Sequence, residues 1–312
     1  MKVLVTGGLG QVGSHVSELL LQRGDKVVAI DNLATGRREH LSASQNLEVV
    51  VDTIADQQLV DRVIGDFKPD VIVHTAASYK DPEDWYNDAL TNVVGGANLI
   101  RAAKAHKVRR FIYFQTALCY GLKPQQQPVR LDHPKFPANS SYAISKTAAE
   151  DYLEISGLEF VTFRLANVIG PRNVSGPLPI FYQRLTEGKR CFVTKARRDF
   201  VFVKDLARYV IKAVDGQGKG TYHFSSGKDI AIKELYDAVV TAMKLPEYPV
   251  PEIRELGPDD APSILLDPSR TFKDFGDISF TPLSELVAAG VAYYREFGVQ
   301  GGYTHLRHEE KK

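Results

Sequence analysis

Cysteine is scarce in this chain of 312 residues, in which only Cys119 and Cys191 occur. Two cysteines are too few for a disulfide framework, and they lack the paired spacing of a structural zinc site. We therefore predict no bound metal. The low cysteine content is what a reducing, cytoplasmic location favours.

An excess of charge of one sign and long hydrophobic runs are also missing. Lys and Arg number 39 against 38 Asp and Glu, a formal net charge of +1, so no overall field draws the protein to nucleic acid or an anionic membrane. No apolar run reaches transmembrane length, and the apolar start MKVLVTGG is too short for a signal peptide. The hydrophobic content of 44% predicts a soluble, globular protein with a real core.

Short β-branched runs alternate with longer helical patterns in the first half of the chain, which predicts βαβ units on a parallel sheet. A sheet of this kind binds its ligand at the carboxyl ends of its strands. The predicted strands are Lys2–Val5, Lys26–Ile30, Leu47–Val51, Val71–His74, Arg110–Phe114 and Glu159–Arg164. The predicted helices are Gln11–Gln22, Asp56–Asp66, Trp85–Ala105 and Ser141–Ile155.

The second half is less regular, with prolines at 171, 177 and 179 and shorter elements after them. This change predicts a smaller, mixed α/β domain that follows a Rossmann-type doubly wound domain. The segment 199–225 has the pattern of a strand, a helix and a strand, so we expect the chain to return there to the first domain. The predicted division is 1–165 with 199–225, and 166–198 with 226–312.

A glycine-rich turn follows the first predicted strand. Gly7, Gly10 and Gly13 form a G-x-x-G-x-x-G run that opens a helix, where free backbone N–H groups attract a pyrophosphate. The next strand ends at Asp31, whose carboxylate can accept both hydroxyls of an adenosine ribose and would repel a 2′-phosphate. We predict NAD as the cofactor, although two arginines at 37 and 38 leave NADP open.

Tyr142 and Lys146 stand four residues apart in a predicted helix and therefore share one face. A phenol with a pKa near 10 must lose about 3 units to act as a base at neutral pH, and a neighbouring ammonium together with a cationic nicotinamide can supply this. Thr116 follows a strand at the carboxyl edge of the sheet, where its hydroxyl can bind the oxygen that Tyr142 deprotonates. These three residues are our predicted catalytic set.

Several segments share one pattern: TGGLGQVG, DNLATG, HTAA, TNVVGG, TALCYG, YAISK, RLANVIGPR and RRDFVFVKDLA. Over nearly its whole length the chain resembles the extended short-chain dehydrogenase/reductases, and within them the UDP-glucose 4-epimerase-like enzymes of bacterial surface-polysaccharide synthesis. The resemblance implies an NAD-binding Rossmann domain, a nucleotide-sugar domain, and a catalytic Thr116, Tyr142 and Lys146. The implied cofactor-binding residues are Gly7, Gly10, Gln11, Val12, Asp31, Asn32, Ile54, Ala76, Asn92, Tyr142 and Lys146.

The residues after Thr116 bear on the choice of reaction. Dehydratases that resemble this chain have an Asp and a Glu where Ala117 and Leu118 stand, and decarboxylases keep the Glu. An aliphatic side chain cannot transfer a proton, so oxidation and re-reduction at C4 of a nucleotide-linked sugar is favoured. A dehydratase or decarboxylase, a catalytically silent NAD-binding protein and a plain reductase stay open as alternatives.

The resemblance also implies residues for the substrate, a UDP-linked sugar. By position, Asn167 and Arg198 match diphosphate-binding residues, the segment Cys191–Val193 matches a strand that pairs with uracil, and Asp260 matches a ribose-binding aspartate. The arginine that usually stands three places before this aspartate is absent, because residue 257 is glycine. Arg254 is a possible substitute.

Two further cations and two long helices complete the predictions. Lys80 and Arg172 fall near the expected hexose, which favours a uronic or acetamido uronic acid, although Lys80 could equally pair with an acid on a solvated loop. Trp85–Ala105 and Ser141–Ile155 are apolar on more than one face. In the family these helices form a four-helix dimer interface, so we predict a homodimer.

Overall fold

The computed structural model describes residues 1–79, 81–137, 140–257, 260–276, 279–299 and 301. Within them the strands are β1 (Lys2–Thr6), β2 (Lys26–Asp31), β3 (Leu47–Val51), β4 (Val71–His74), β5 (Arg110–Thr116), β6 (Phe160–Leu165), β7 (Asn167–Ile169), β8 (Phe192–Thr194), β9 (Arg197–Arg198), β10 (Phe200–Phe202), β11 (Gly220–Phe224), β12 (Ile230–Ala231) and β13 (Glu252–Arg254).

The α-helices of the same residues are α1 (Gln11–Gln22), α2 (Gln57–Phe67), α3 (Trp85–Asp88), α4 (Gly96–Ala105), α5 (Ser141–Ile155), α6 (Pro177–Thr186), α7 (Val203–Val214), α8 (Ile232–Met243), α9 (Ser269–Phe275) and α10 (Leu283–Phe297). None of the helices described here is both long and apolar enough to cross a membrane.

One parallel sheet organises the first half of the chain. In the part of the chain that the structure describes it has seven strands, in the order β11-β6-β5-β4-β1-β2-β3. Alternate residues of β1 face opposite sides of the sheet: Val3 and Val5 pack with α1 and α7, and Leu4 packs with α2 and α4. The predicted Rossmann-type doubly wound sheet is confirmed.

A smaller region of mixed structure stands beside this sheet. Helices α6, α8 and α10 share a separate apolar core with β7, β8 and β10. The segment 199–225 contains β10, α7 and β11, and β11 pairs with β6 from Gly220 opposite Val161 to Phe224 opposite Leu165. The chain therefore does return to the main sheet there, while the exact domain boundaries stay a prediction.

The predicted helix Trp85–Ala105 is not a uniform α-helix. Between α3 and α4 the backbone widens into a π-helical stretch over Ala89–Gly95. Asn92 lies in this stretch and is buried, and its side chain bonds to residues of two other segments, Ser78 and Ser145. A Cβ at Gly95 would lie 2.6 Å from Ile54. Such tertiary contacts favour a local π-bulge, which the apolar periodicity of a sequence does not reveal.

Candidate active site

A cavity of about 1290 Å³ lies at the carboxyl ends of the central strands, between the sheet and the smaller region. It is long enough to reach from the glycine-rich turn after β1 to β8, and most of the predicted site residues line it. Those that do are Gly7, Gly10, Gln11, Val12, Asp31, Asn32, Ile54, Ala76, Thr116, Tyr142, Lys146, Asn167, Arg198 and Asp260.

The glycine-rich turn has the shape of a dinucleotide cradle. Gly7 has a φ of +65°, and a Cβ there would lie 2.7 Å from the backbone nitrogen of Ala76. The Asp31 carboxylate accepts backbone N–H groups of Leu9 at 2.9 Å and Leu33 at 2.8 Å, which fixes it at the end of β2. Burial raises the pKa of Asp31, and these N–H groups act against that rise.

Two amide side chains beside this turn each have one buried atom without a partner among the described residues. Gln11 at the start of α1 and Asn173 after β7 meet at 3.4 Å, yet Nε2 of Gln11 and Oδ1 of Asn173 form no hydrogen bond within the described residues. Both side chains line the cavity. Buried polar atoms without partners are rare in native proteins and often mark a ligand. Together with the cradle, they fit the pyrophosphate side of a bound dinucleotide.

The predicted catalytic residues come together in the middle of the cavity. Thr116 ends β5, and its hydroxyl accepts the backbone N–H of Leu118 at 3.2 Å. Helix α5 begins after Ser140, whose hydroxyl accepts the N–H of Ala143, and places Tyr142 in its first turn. One turn later, the Lys146 ammonium lies 4.1 Å from the centre of the Tyr113 ring.

The pKa values of this set differ from the sequence-based expectation. Burial raises the pKa of Tyr142, and Tyr79 and Asp88 raise it further. Burial lowers the pKa of Lys146 to about 7, against the attraction of Glu150. The protein alone therefore does not create an acidic tyrosine. We expect a cationic group that enters with the ligands, such as the nicotinamide, to lower the pKa of Tyr142.

A buried ionic network supports the catalytic helix from behind. Glu150 follows Lys146 by one turn, is completely buried and accepts two hydrogen bonds from Arg164 of β6, at 3.0 and 3.1 Å. Its carboxylate also accepts from Gln115 at 3.3 Å, and Gln115 in turn accepts the backbone N–H of Thr116. Glu150 thus connects the strand that carries Thr116 with the helix that carries Tyr142 and Lys146.

Two predicted substrate residues meet at the far side of the cavity. The Arg198 guanidinium forms an ion pair with Asp260 and donates to the backbone oxygen of Ala261 at 2.7 Å. Asp260 also accepts from the hydroxyl of Thr194, the last residue of β8, at 3.4 Å. Asn167, at the start of β7, lines the same cavity. Arg198 and Asp260 therefore form one ion-paired group in the cavity wall.

Two predicted site residues lie elsewhere. Arg172 was expected near the hexose, but its guanidinium donates to Glu18 at 2.6 and 3.0 Å and to Ser14 of α1 at 3.0 Å, and it does not line the cavity. This ion pair holds the side chain on α1, so the structure does not support the expected hexose contact. Asn92 was expected at the cofactor, but its amide is used by Ser78 and Ser145. Lys80 lies outside the described residues.

The missing diphosphate arginine is not replaced by Arg254. Its guanidinium donates to the Glu252 carboxylate at 2.9 and 3.0 Å, stacks 4.1 Å from the centre of the Phe192 ring, and does not line the cavity. Sequence reasoning missed Arg184 of α6, which does line it. The signal was available in the helical spacing of Arg184 from Pro177 and Phe181, once α6 is recognised as a helix.

Comparisons with known proteins show the family to which the chain belongs. Residues 3–224 match the model of the NAD dependent epimerase/dehydratase family. The chain is 32% identical to the UDP-glucose 4-epimerase of Mycolicibacterium smegmatis, over 95% of this chain and 99% of that protein.

Solved structures are also similar over the whole fold. The enzyme WbmH of Bordetella bronchiseptica, solved with NAD+, is 75% identical with a TM-score of 0.94, over 95% of this chain and 99% of that one. The enzyme WbmG of the same organism, solved with NAD and UDP, is 40% identical with a TM-score of 0.90, over 98% of each chain.

Proposed function

Since the chain belongs to the NAD-dependent epimerase/dehydratase family, we propose that it inverts C4 of a nucleotide-linked hexose through a transient 4-keto sugar. The observation that carries the proposal is the single cavity that joins the glycine-rich cradle, Thr116, Tyr142, Lys146 and the pair Arg198–Asp260. A dinucleotide and a nucleotide sugar can meet in it at the tyrosine.

The residues of the chain supply binding and proton transfer. The Tyr142 oxygen takes the proton from the C4 hydroxyl and returns it after the sugar has turned, while the Thr116 hydroxyl holds the same sugar oxygen. Lys146 lies one turn from Tyr142, and its protonated form stabilises the phenolate electrostatically. NAD⁺, when bound, supplies a reversible acceptor for the C4 hydride.

The cavity wall next to Thr116 supports epimerisation over loss of water or carbon dioxide. Ala117 and Leu118 line the cavity there, and neither can move a proton. A dehydratase or decarboxylase would need such a group and would release a 4-keto or pentose product. A silent NAD-binding protein would have no use for the assembled set of Thr116, Tyr142 and Lys146.

The substrate that we propose is UDP-linked, with a uronic or acetamido uronic acid as the sugar, for the synthesis of a surface polysaccharide. The UDP in the WbmG structure and the name of the mycobacterial relative support the nucleotide. For the sugar, the support is Lys80, which lies in the chain between Tyr79 and Asp81, two residues of the cavity wall. Arg172 no longer contributes to this argument.

The test is incubation of the purified enzyme, without added cofactor, with UDP-hexoses, UDP-N-acetylhexosamines and their uronates, followed by NMR of C4. Inversion without net NADH and without a keto product is the expected result. Absence of inversion with every sugar, from an enzyme that still contains NAD, would overturn the epimerase proposal. Lys80→Ala tests the sugar, because an unchanged preference between neutral sugars and uronates would remove the uronate hypothesis.

A homodimer is part of the proposal. Helix α5 exposes Ile144, Tyr152 and Ile155 at helical spacing, and Tyr86 and Val94 are exposed on the neighbouring segment. Ile155 is 80% and Tyr86 is 72% exposed, and helices α3 and α5, which carry them, are in contact. We define these five residues as the α5 patch, and a second copy of this chain is the partner that we propose for it.

A further inference from the structure

Helix α6 presents one face to the substrate side of the cavity. Pro177, Ile180, Phe181 and Arg184 all line it, at spacings that fall on one side of a helix. Since an α-helix rises 1.5 Å per residue, Arg184 lies about 10 Å along the axis from Pro177. The last residue of this face, Arg184, is a cation. Among the residues that the structure describes, the cavity wall contains the cations Lys146, Arg184 and Arg198.

The Arg184 guanidinium is fixed at the beginning of β8. Its Nε and Nη2 atoms donate to the backbone oxygen of Arg190, at 2.9 and 2.6 Å, two residues before Phe192. A guanidinium has five N–H donors; beside these two bonds the side chain also hydrogen-bonds Cys191, and donors remain for a ligand. Phe192 and Thr194, the two ends of β8, line the cavity with it.

Arg198, in β9, is linked to the other end of β8 through Asp260. Thr194 donates to Asp260, and Asp260 is the ion-pair partner of Arg198. A strand rises about 3.3 Å per residue, so Phe192 and Thr194 are about 7 Å apart. That separation is about the length of a nucleoside, which allows a phosphate and ribose to lie near Arg198 and Asp260 while the base lies near Phe192.

We infer that Arg184 recognises the base of the nucleotide, by donating N–H groups to a carbonyl oxygen of a pyrimidine such as uracil. This inference rests on the proposed function and names the residue that reads the nucleotide. The guanidinium is separated from the Arg198–Asp260 pair by the length of β8, so it contacts the base and not the diphosphate. A charge-assisted bond of this kind contributes more than a neutral one.

The experiment compares the binding of UDP and UMP to the NAD-containing enzyme by calorimetry, for wild type and Arg184→Gln. We expect about tenfold weaker binding of both nucleotides, by a similar factor, because they share the base.

Arg270→Gln is the matched control. The Arg270 guanidinium also donates to two backbone oxygens, of Thr221 and Lys219 at 2.9 and 2.8 Å, away from the cavity, so its loss should leave both affinities unchanged.

Unchanged binding of both nucleotides to Arg184→Gln overturns the inference. Weaker binding of UDP with unchanged binding of UMP also overturns it, because the guanidinium would then act on the second phosphate. If the wild type binds neither nucleotide, the proposed function itself fails, an outcome distinct from both. Arg184→Lys keeps the charge without the planar fork and is also expected to bind both nucleotides more weakly, which provides a second test if the glutamine variant does not fold.

Discussion

Lys146 carries a pH dependence of stability. Burial lowers its pKa from 10.5 to about 7 in the folded protein. Between these values the unfolded chain binds more protons than the folded one, so the free energy of unfolding rises with pH. Lys146→Met removes this titration. From pH 7.5 to pH 9, the free energy of unfolding of the wild type, measured in urea, should rise by about 2 kcal/mol relative to that of the variant. If the difference between the two free energies did not change with pH, the lowered pKa of Lys146 would be contradicted.

Glu150 is the counter-ion of a buried arginine, Arg164. Glu150→Gln leaves the Arg164 charge without a carboxylate, which should cost about 3–5 kcal/mol of unfolding free energy. Glu252→Gln is the control, because Glu252 forms a bidentate pair of similar geometry with Arg254 at the exposed surface, where such pairs contribute little. If both variants lost the same unfolding free energy in urea, burial of the Glu150–Arg164 pair would not be the reason for its large contribution.

Individual site residues differ in how far the sequence reveals them. Thr116, Tyr142 and Lys146 could be predicted because strand ends and helical spacing fix their positions. Arg172 could not, because its actual partner, Glu18, lies far away in the sequence on α1. The same holds for Glu150, whose role depends on contacts with β5 and β6.

Gly36, in the turn after β2, leaves room for the Asp31 carboxylate at the proposed cofactor site. A Cβ at Gly36 would lie 2.7 Å from both carboxylate oxygens of Asp31, the residue that we propose for the adenosine ribose. Gly36→Ala should therefore weaken the binding of NAD by tenfold or more, measured by calorimetry on enzyme freed of nucleotide. Gly257→Ala is the control, since a Cβ there meets nothing within 4 Å. The same dissociation constant for both variants would argue against a ribose site at Asp31.

Among the elements, β1 to β6 and α1, α2 and α5 agree with the sequence-based boundaries to within two residues. Their buried apolar runs and short polar turns specify them locally. The π-helical stretch could not be predicted, because it depends on Asn92 and its distant partners. In the smaller region, β8, β9 and β12 span only two or three residues each, too few for a periodicity to be read.

At the scale of the whole molecule, the α5 patch predicts the oligomeric state. Light scattering should give a homodimer at micromolar concentration, and the double variant Tyr152→Lys, Ile155→Lys should be a monomer because it places two charges in the apolar contact. Ile253→Lys is the control, because Ile253 is 69% exposed on β13, outside the patch. A wild-type monomer at that concentration would overturn the dimer, and the cytoplasmic location stays a prediction.

We propose that one site oxidises a sugar at C4 and returns the same hydride to the opposite face. The most direct test uses a nucleotide sugar that the enzyme inverts, with deuterium at C4, in ordinary water. We expect NMR to show that the inverted product keeps its C4 deuterium. Inversion with replacement of that deuterium by hydrogen from water would contradict hydride transfer at C4, because the deuterium would then leave C4 as a deuteron that exchanges with water.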